Sequence, residues 1–119
     1  MNVFLFSPGR HEKEWQPAVD IYRATWGWTL KFDLAGVRME DVHVHVGKHT
    51  VTVSGIRRDC MVEDGCRHYS MEITYSRFQR TIELPDDDLN TANMRMDYRD
   101  GILLVRIRME QEPAEREDK

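Results

Sequence analysis

The chain has 119 residues, 40% hydrophobic and 9% aromatic, with 17 Lys and Arg against 21 Asp and Glu for a net charge of −4. This is one domain's worth of chain with enough apolar material for a core, which excludes wholesale disorder. A nucleic-acid partner calls for a basic protein with concentrated positive charge, and a membrane span for a long apolar run; the sequence shows neither.

Residues 1–14 read as a short N-terminal arm, holding the apolar patch Val3-Phe4-Leu5-Phe6 and the polar run Arg10-His11-Glu12-Lys13-Glu14. The patch has no basic residues before it and is too short for a signal peptide, so a cytoplasmic location is expected. Trp15-Gln16-Pro17 opens a domain predicted over 15–109. Ala18 to Arg23 alternates well enough for a strand. Trp28, Leu30, Phe32 and Leu34 then alternate with Thr29, Lys31 and Asp33, the period of a half-buried strand. Ala35-Gly36 breaks it.

Asp41 to Val46 alternates again, Gly47-Lys48-His49 turns, and Thr50 to Ser54 repeats the pattern, so a hairpin with its valines on one face is predicted. Residues 57–70 are polar and irregular and read as a long loop. A short strand is expected over Ser70 to Tyr75, and a longer one from Arg77 to Leu84, stopped by Pro85, which has no N–H to donate. Asn90 to Tyr98 and Ile102 to Met109 complete the set, joined by Asp100-Gly101, a pair suited to the positive backbone angles of a two-residue hairpin turn. Seven or eight short strands without helical periodicity predict an all-β, immunoglobulin-like antiparallel sandwich. The last ten residues hold five acids against Arg116 and Lys119, which is −3 of the total, and read as an acidic, disordered, solubilising tail.

Chemistry finds little foothold. His43 and His45 share a strand face and His49 follows the turn. A metal site there would need further ligands, and valines already fill the buried face, so these histidines are assigned to solvent and no metal or cofactor is expected. Cys60 and Cys66 lack C-x-x-C spacing and are expected as free thiols, with a loop disulfide under oxidation as the alternative. Asp86-Asp87-Asp88 lacks the spaced ligands of a calcium loop and reads as a turn. Met61, Met71, Met94 and Met96 either fill gaps or form an adaptable surface. No nucleophile motif and no phosphate-cradling glycine loop occurs, so no catalysis is expected.

Phe78-Gln79-Arg80-Thr81-Ile82-Glu83-Leu84-Pro85 resembles the F-x-R-x-[apolar]-x-L-P of the alpha-crystallin domain of small heat-shock proteins. A looser version of that family's A-x-[apolar]-x-[polar]-G-[apolar]-L runs from Ala92 through Gly101-Ile102-Leu103. Trp15 to Tyr22 is similar to the domain opening, and Phe32-Asp33-Leu34-Ala35-Gly36-Val37 to L-P-G-[apolar] with alanine for proline. Tyr69 through Arg80 resembles Y-x-x-x-E-x-x-x-G-x-F-x-R with one residue less, its glycine slot filled by Ser76 or Arg77.

The resemblance implies an ATP-independent holdase that binds partly unfolded clients under stress. It implies a homodimer made by a strand, here Ser70-Met71-Glu72-Ile73-Thr74, crossing to the partner subunit. Interface residues would be Tyr69, Met71, Glu72, Ile73, Tyr75 and Arg80, with Glu72 one candidate carboxylate for Arg80. Val3, Phe4, Leu5 and Phe6 would bind clients, or else pack on their own sandwich. The tail lacks the I-x-[IV] motif of cage-building members, which favours a dimer or a small assembly. The alternatives are an adaptor sandwich binding one folded partner, and a metal- or redox-responsive module built on the histidines and cysteines.

Overall fold

Alternation of apolar and polar residues places one face of each strand inward, and two sheets result. The computed structural model describes residues 14–60, 62–86, 88–91 and 93–109. The strands are β1 (Val19–Ala24), β2 (Gly27–Asp33), β3 (Val42–Val46), β4 (Thr50–Ile56), β5 (Arg77–Glu83), β6 (Asn93–Arg99) and β7 (Ile102–Arg108). A four-stranded sheet runs β1-β2-β7-β6 and a three-stranded sheet runs β3-β4-β5, every pairing antiparallel. The all-β sandwich expected from the sequence is the observed fold.

The core lies between the sheets. Leu30 and Phe32 of β2, Leu103, Val105 and Ile107 of β7, and Val51 and Val53 of β4 are all buried. Phe78 and Ile82 of β5 join them, with Leu34, Leu84 and Leu89 closing the connections. Each such side chain contributes about 1.5–3 kcal/mol on full burial. β6 turns into β7 through Asp100 and Gly101, with φ of 54° and 80°, the paired positive angles of a type I′ turn.

Two side chains tie connections across the sandwich. The Tyr98 hydroxyl lies 2.6 Å from the Val37 carbonyl oxygen and 2.9 Å from that of Leu34. Its single proton is shared between two acceptors, and burial pushes the phenol's pKa up from its ordinary value, so that proton stays in place. Asp86, just past Pro85, accepts from the Trp28 indole N–H at 2.7 Å and from Arg23, joining the β5–β6 connection to β1 and β2. The indole bond first, and Arg23 after it, hold the Asp86 carboxyl below its ordinary range.

One expectation needs correcting. Ser70–Tyr75 is not a strand within the subunit: it joins neither sheet, because no edge of its own sandwich pairs with it. Single turns of 3-10 helix, Met39–Asp41 and Leu89–Thr91, precede β3 and β6 where the sequence showed no helical period. The Val3–Phe6 patch and the acidic tail lie outside the described residues.

Tyr98→Phe removes the hydroxyl donor from the Val37 carbonyl, while the Leu34 carbonyl keeps the Val37 N–H at 2.9 Å, and is expected to cost about 1–2 kcal/mol, read as a lower urea midpoint at unchanged slope. Asp86 has a depressed folded pKa, so its stabilisation is present above the ordinary carboxylate pKa and fades as pH falls through the folded one. Thermal unfolding of wild type and Asp86→Asn should therefore differ at neutral pH and converge once the pH has fallen through the depressed folded pKa of Asp86.

Candidate functional site

β1 has a ladder partner on one side only. It pairs with β2 from Val19↔Phe32 to Ala24↔Gly27, and no strand among the described residues lies along its other edge. Such an edge presents unpaired N–H and C=O groups in register for another strand. Ile21 shares a sheet face with buried Leu30, its register partner, yet is 42% exposed. The core face of the sheet is therefore left uncovered at this edge.

The long connection between β4 and β5 carries apolar residues into solvent. Tyr69 is fully exposed, Met71 49% and Ile73 59% exposed. They recur at every second residue, which puts them on one face if the segment becomes a strand. Glu72 is exposed as well. Cys60 and Cys66 lie in the same connection as exposed free thiols.

The base of this connection is clamped. The Arg57 N–H donates to the Ser76 carbonyl at 2.9 Å, so the chain returns to where it left. The Arg57 side chain donates through Nε to the Thr74 carbonyl at 2.9 Å and through its terminal nitrogen to the Ala35 carbonyl at 3.2 Å. Its guanidinium carbon sits 3.6 Å from the Trp15 ring centroid and 6.0 Å from that of Tyr75. Trp15 in turn meets Phe78 edge-on at 5.1 Å between centroids. A continuous stack thus runs from the core through Trp15 and Arg57 to Thr74 and Tyr75, and it explains why 74–76 are half-buried while 66–73 are exposed.

Burial pulls the Arg57 pKa down from its usual high value, with Tyr75 and Asp33 acting against it, but a guanidinium remains charged at physiological pH. Arg58 grips the connection between β2 and β3, meeting Asp41 at 3.1 and 3.4 Å, and Arg38 reaches the same carboxylate at 3.4 Å. The Arg58 hydrogen bond is the main reason the Asp41 carboxyl is held below its ordinary range.

Arg80 is half-buried on the inward side of β5, paired in register with buried Val53, and donates to the Pro17 carbonyl at 2.6 Å. Glu72 does not supply the carboxylate expected for it within the subunit; Arg80 bonds instead to the backbone just ahead of β1. Met94 and Met96 on β6 are both exposed. His43 and His45 are exposed on β3, and no group of three or more His, Cys, Asp or Glu that could hold a metal occurs among the described residues. No helix among those residues is long and apolar enough to cross a membrane.

A model of the Hsp20/alpha crystallin family matches residues 20–119. The chain belongs to that family. Small heat shock protein C2 of Rickettsia felis is 28% identical over 96 residues, covering 81% of this chain and 62% of the relative. Spore protein SP21 of Stigmatella aurantiaca is 30% identical over 91 residues, covering 76% and 53%. The chain thus spans a little over half the length of these two curated relatives. Among solved structures, hspA of Xanthomonas axonopodis superposes with a TM-score of 0.67 at 27% identity, covering 82% of this chain and 97% of that one. HSP18.5 of E. histolytica superposes at 0.68 with 23% identity.

Within this alpha-crystallin frame, the sequence pointed to residues 69–75 and Arg80 as an interface and gave no sign of the Arg57 clamp or of the Asp41 and Asp86 ties. The signal for Arg57 was a basic pair directly after an alternating strand, which reads as ordinary loop polarity. Arg57→Lys keeps the charge but loses the fork that reaches two carbonyls while stacking on Trp15. It is expected to speed limited proteolysis within 57–76 several-fold while moving the unfolding midpoint by only about 2–4 °C. Unchanged cleavage would remove the clamp's role.

Proposed function

We propose that this chain is a cytoplasmic, ATP-independent holdase that works as a homodimer built by strand exchange. The observation that carries the reading is the match between an unpaired edge and an unpaired strand-like segment: β1 has no neighbour on its outer edge among the described residues, and Tyr69, Met71 and Ile73 alternate in solvent. Laid along β1 of a second copy, residues 70–74 would satisfy the edge and cover the uncovered Ile21, and the exchange is reciprocal under two-fold symmetry.

Tyr75 and Arg80 belong to the same interface by position. Tyr75 rests near the Arg57 clamp at the root of the segment, and Arg80 holds the chain entering β1 through Pro17. The solved small heat-shock protein of Xylella fastidiosa is described as having a distinct high order structure, which supports self-association as a property of this architecture.

Client capture needs apolar surface that survives dimerisation. We assign it to Val3, Phe4, Leu5 and Phe6 and to the exposed Met94 and Met96 on the opposite edge strand, β6. Methionine's unbranched, polarisable side chain adapts to varied apolar partners, which suits clients that share only exposed hydrophobic surface. Holding of this kind requires no cofactor.

Light scattering of a heat-labile client, warmed without ATP, tests the activity. Suppression near stoichiometric ratio is expected, and its absence would turn attention to an adaptor with one folded partner. Native mass measurement tests the interface separately. Ile73→Asp places a charge in the exchanged strand and should shift the dimer to monomer at micromolar concentration, with the unfolding of the isolated sandwich little changed; a persistent dimer would overturn the exchange.

A further inference from the structure

The outer face of the four-stranded sheet gathers positive charge that the linear sequence disperses. Arg95 on β6 stands directly opposite Arg106 on β7, and Asn93 opposite Arg108. Side chains two apart on a strand share a face, so Arg106 and Arg108 stand side by side. The Arg108 guanidinium also lies 5.0 Å from the Trp26 ring centroid. These five residues line a cleft of about 270 Å³. The register partner of Arg108 on β2 is Gly27, which contributes no side chain to this face and leaves the cleft open there.

Like charges directly opposite in an antiparallel ladder destabilise it. No ion pair relieves Arg95, Arg106 or Arg108 among the described residues. Among the described residues, the same face carries Asp97, one ladder step along β6 and bonded to Arg99 at 3.1 Å, and Asp20, opposite Lys31 on β1. Every polar side-chain group in the cleft except the Asn93 carbonyl oxygen is therefore a donor: three guanidinium forks, an indole N–H and a carboxamide.

We propose that this cleft binds a compact phosphate oligoanion. Its ligand must be rich in acceptors, multiply charged and small. Guanidinium forks meet phosphate oxygens in pairs, and the bound anion relieves the Arg95–Arg106 repulsion. The site is on the outer face of the sheet, so it is separate from the β1 edge and from the proposed capture surfaces, and it stands whether or not the holdase reading does.

The probe is inorganic triphosphate, titrated into the whole 119-residue chain against sodium chloride at equal ionic strength. The wild-type unfolding midpoint should rise beyond the chloride control. The double variant Arg95→Gln, Arg106→Gln should unfold at or above the wild-type midpoint without ligand, because repulsion has gone, and calorimetric affinity for triphosphate should fall about tenfold or more. A second arm, sedimentation with phosphatidic acid vesicles against neutral ones, separates a lipid headgroup from a free oligophosphate as the source of the phosphate. Binding in either arm that is lost in the double variant supports the site. Binding that survives the substitutions, or none in either arm, overturns it.

Discussion

The seven-residue pairing of β2 with β7 organises the molecule. It sets Trp28 opposite Ile107, Leu30 opposite Val105 and Phe32 opposite Leu103, so one shared face is apolar along its length. A slip of one residue would turn every one of these side chains to solvent, which makes the register strongly specified. β1 and β6 are then added to the two sides of this pair, and the three-stranded sheet covers its apolar face. Cover is complete at the centre and fails at the margins. Ile21 on one edge and Met94 and Met96 on the other are the residues at which the core reaches solvent. The surfaces assigned to partner and client are thus the places where a small sandwich runs out of its own material.

Strands were legible because their signal is local. Alternation over Thr29–Phe32, Val42–Val46 and Thr50–Val53, and the Asp100-Gly101 turn, depend only on neighbouring residues and appear where the sequence placed them. The segment from Ser70 to Tyr75 has the same alternation and yet forms no ladder, since strand structure also requires a second strand to pair with. Long-range polar ties were not legible. Asp86 meets Trp28, and Tyr98 meets Val37, across separations of 58 and 61 residues, and nothing at either end of such a pair announces the other. The arginine cleft is a related case: its charges are interleaved with Met94, Met96, Val105 and Ile107, and only the pleat sorts the two sets onto opposite faces.

Alanine at position 35, where the resembling motif has proline, has a local rationale. The Ala35 N–H donates to the Asp33 carboxylate at 3.3 Å, a bond that proline would forbid. The Ala35 carbonyl meanwhile accepts from Arg57. The residue that departs from the motif is thereby joined to the clamp at the root of the β4–β5 connection, so the two features form one local arrangement.

That root has an implication for how such chains can vary. The Arg57–Ser76 backbone bond fixes the two ends of the connection next to each other, independent of what lies between. Closing a flexible loop costs free energy that grows only with the logarithm of its length, about 0.6 kcal/mol per doubling. Residues can be inserted into or deleted from the stretch between the ends with little effect on the stability of the sandwich. The reach of the exposed segment is consequently a nearly independent variable, free to drift in length while the two sheets stay as they are.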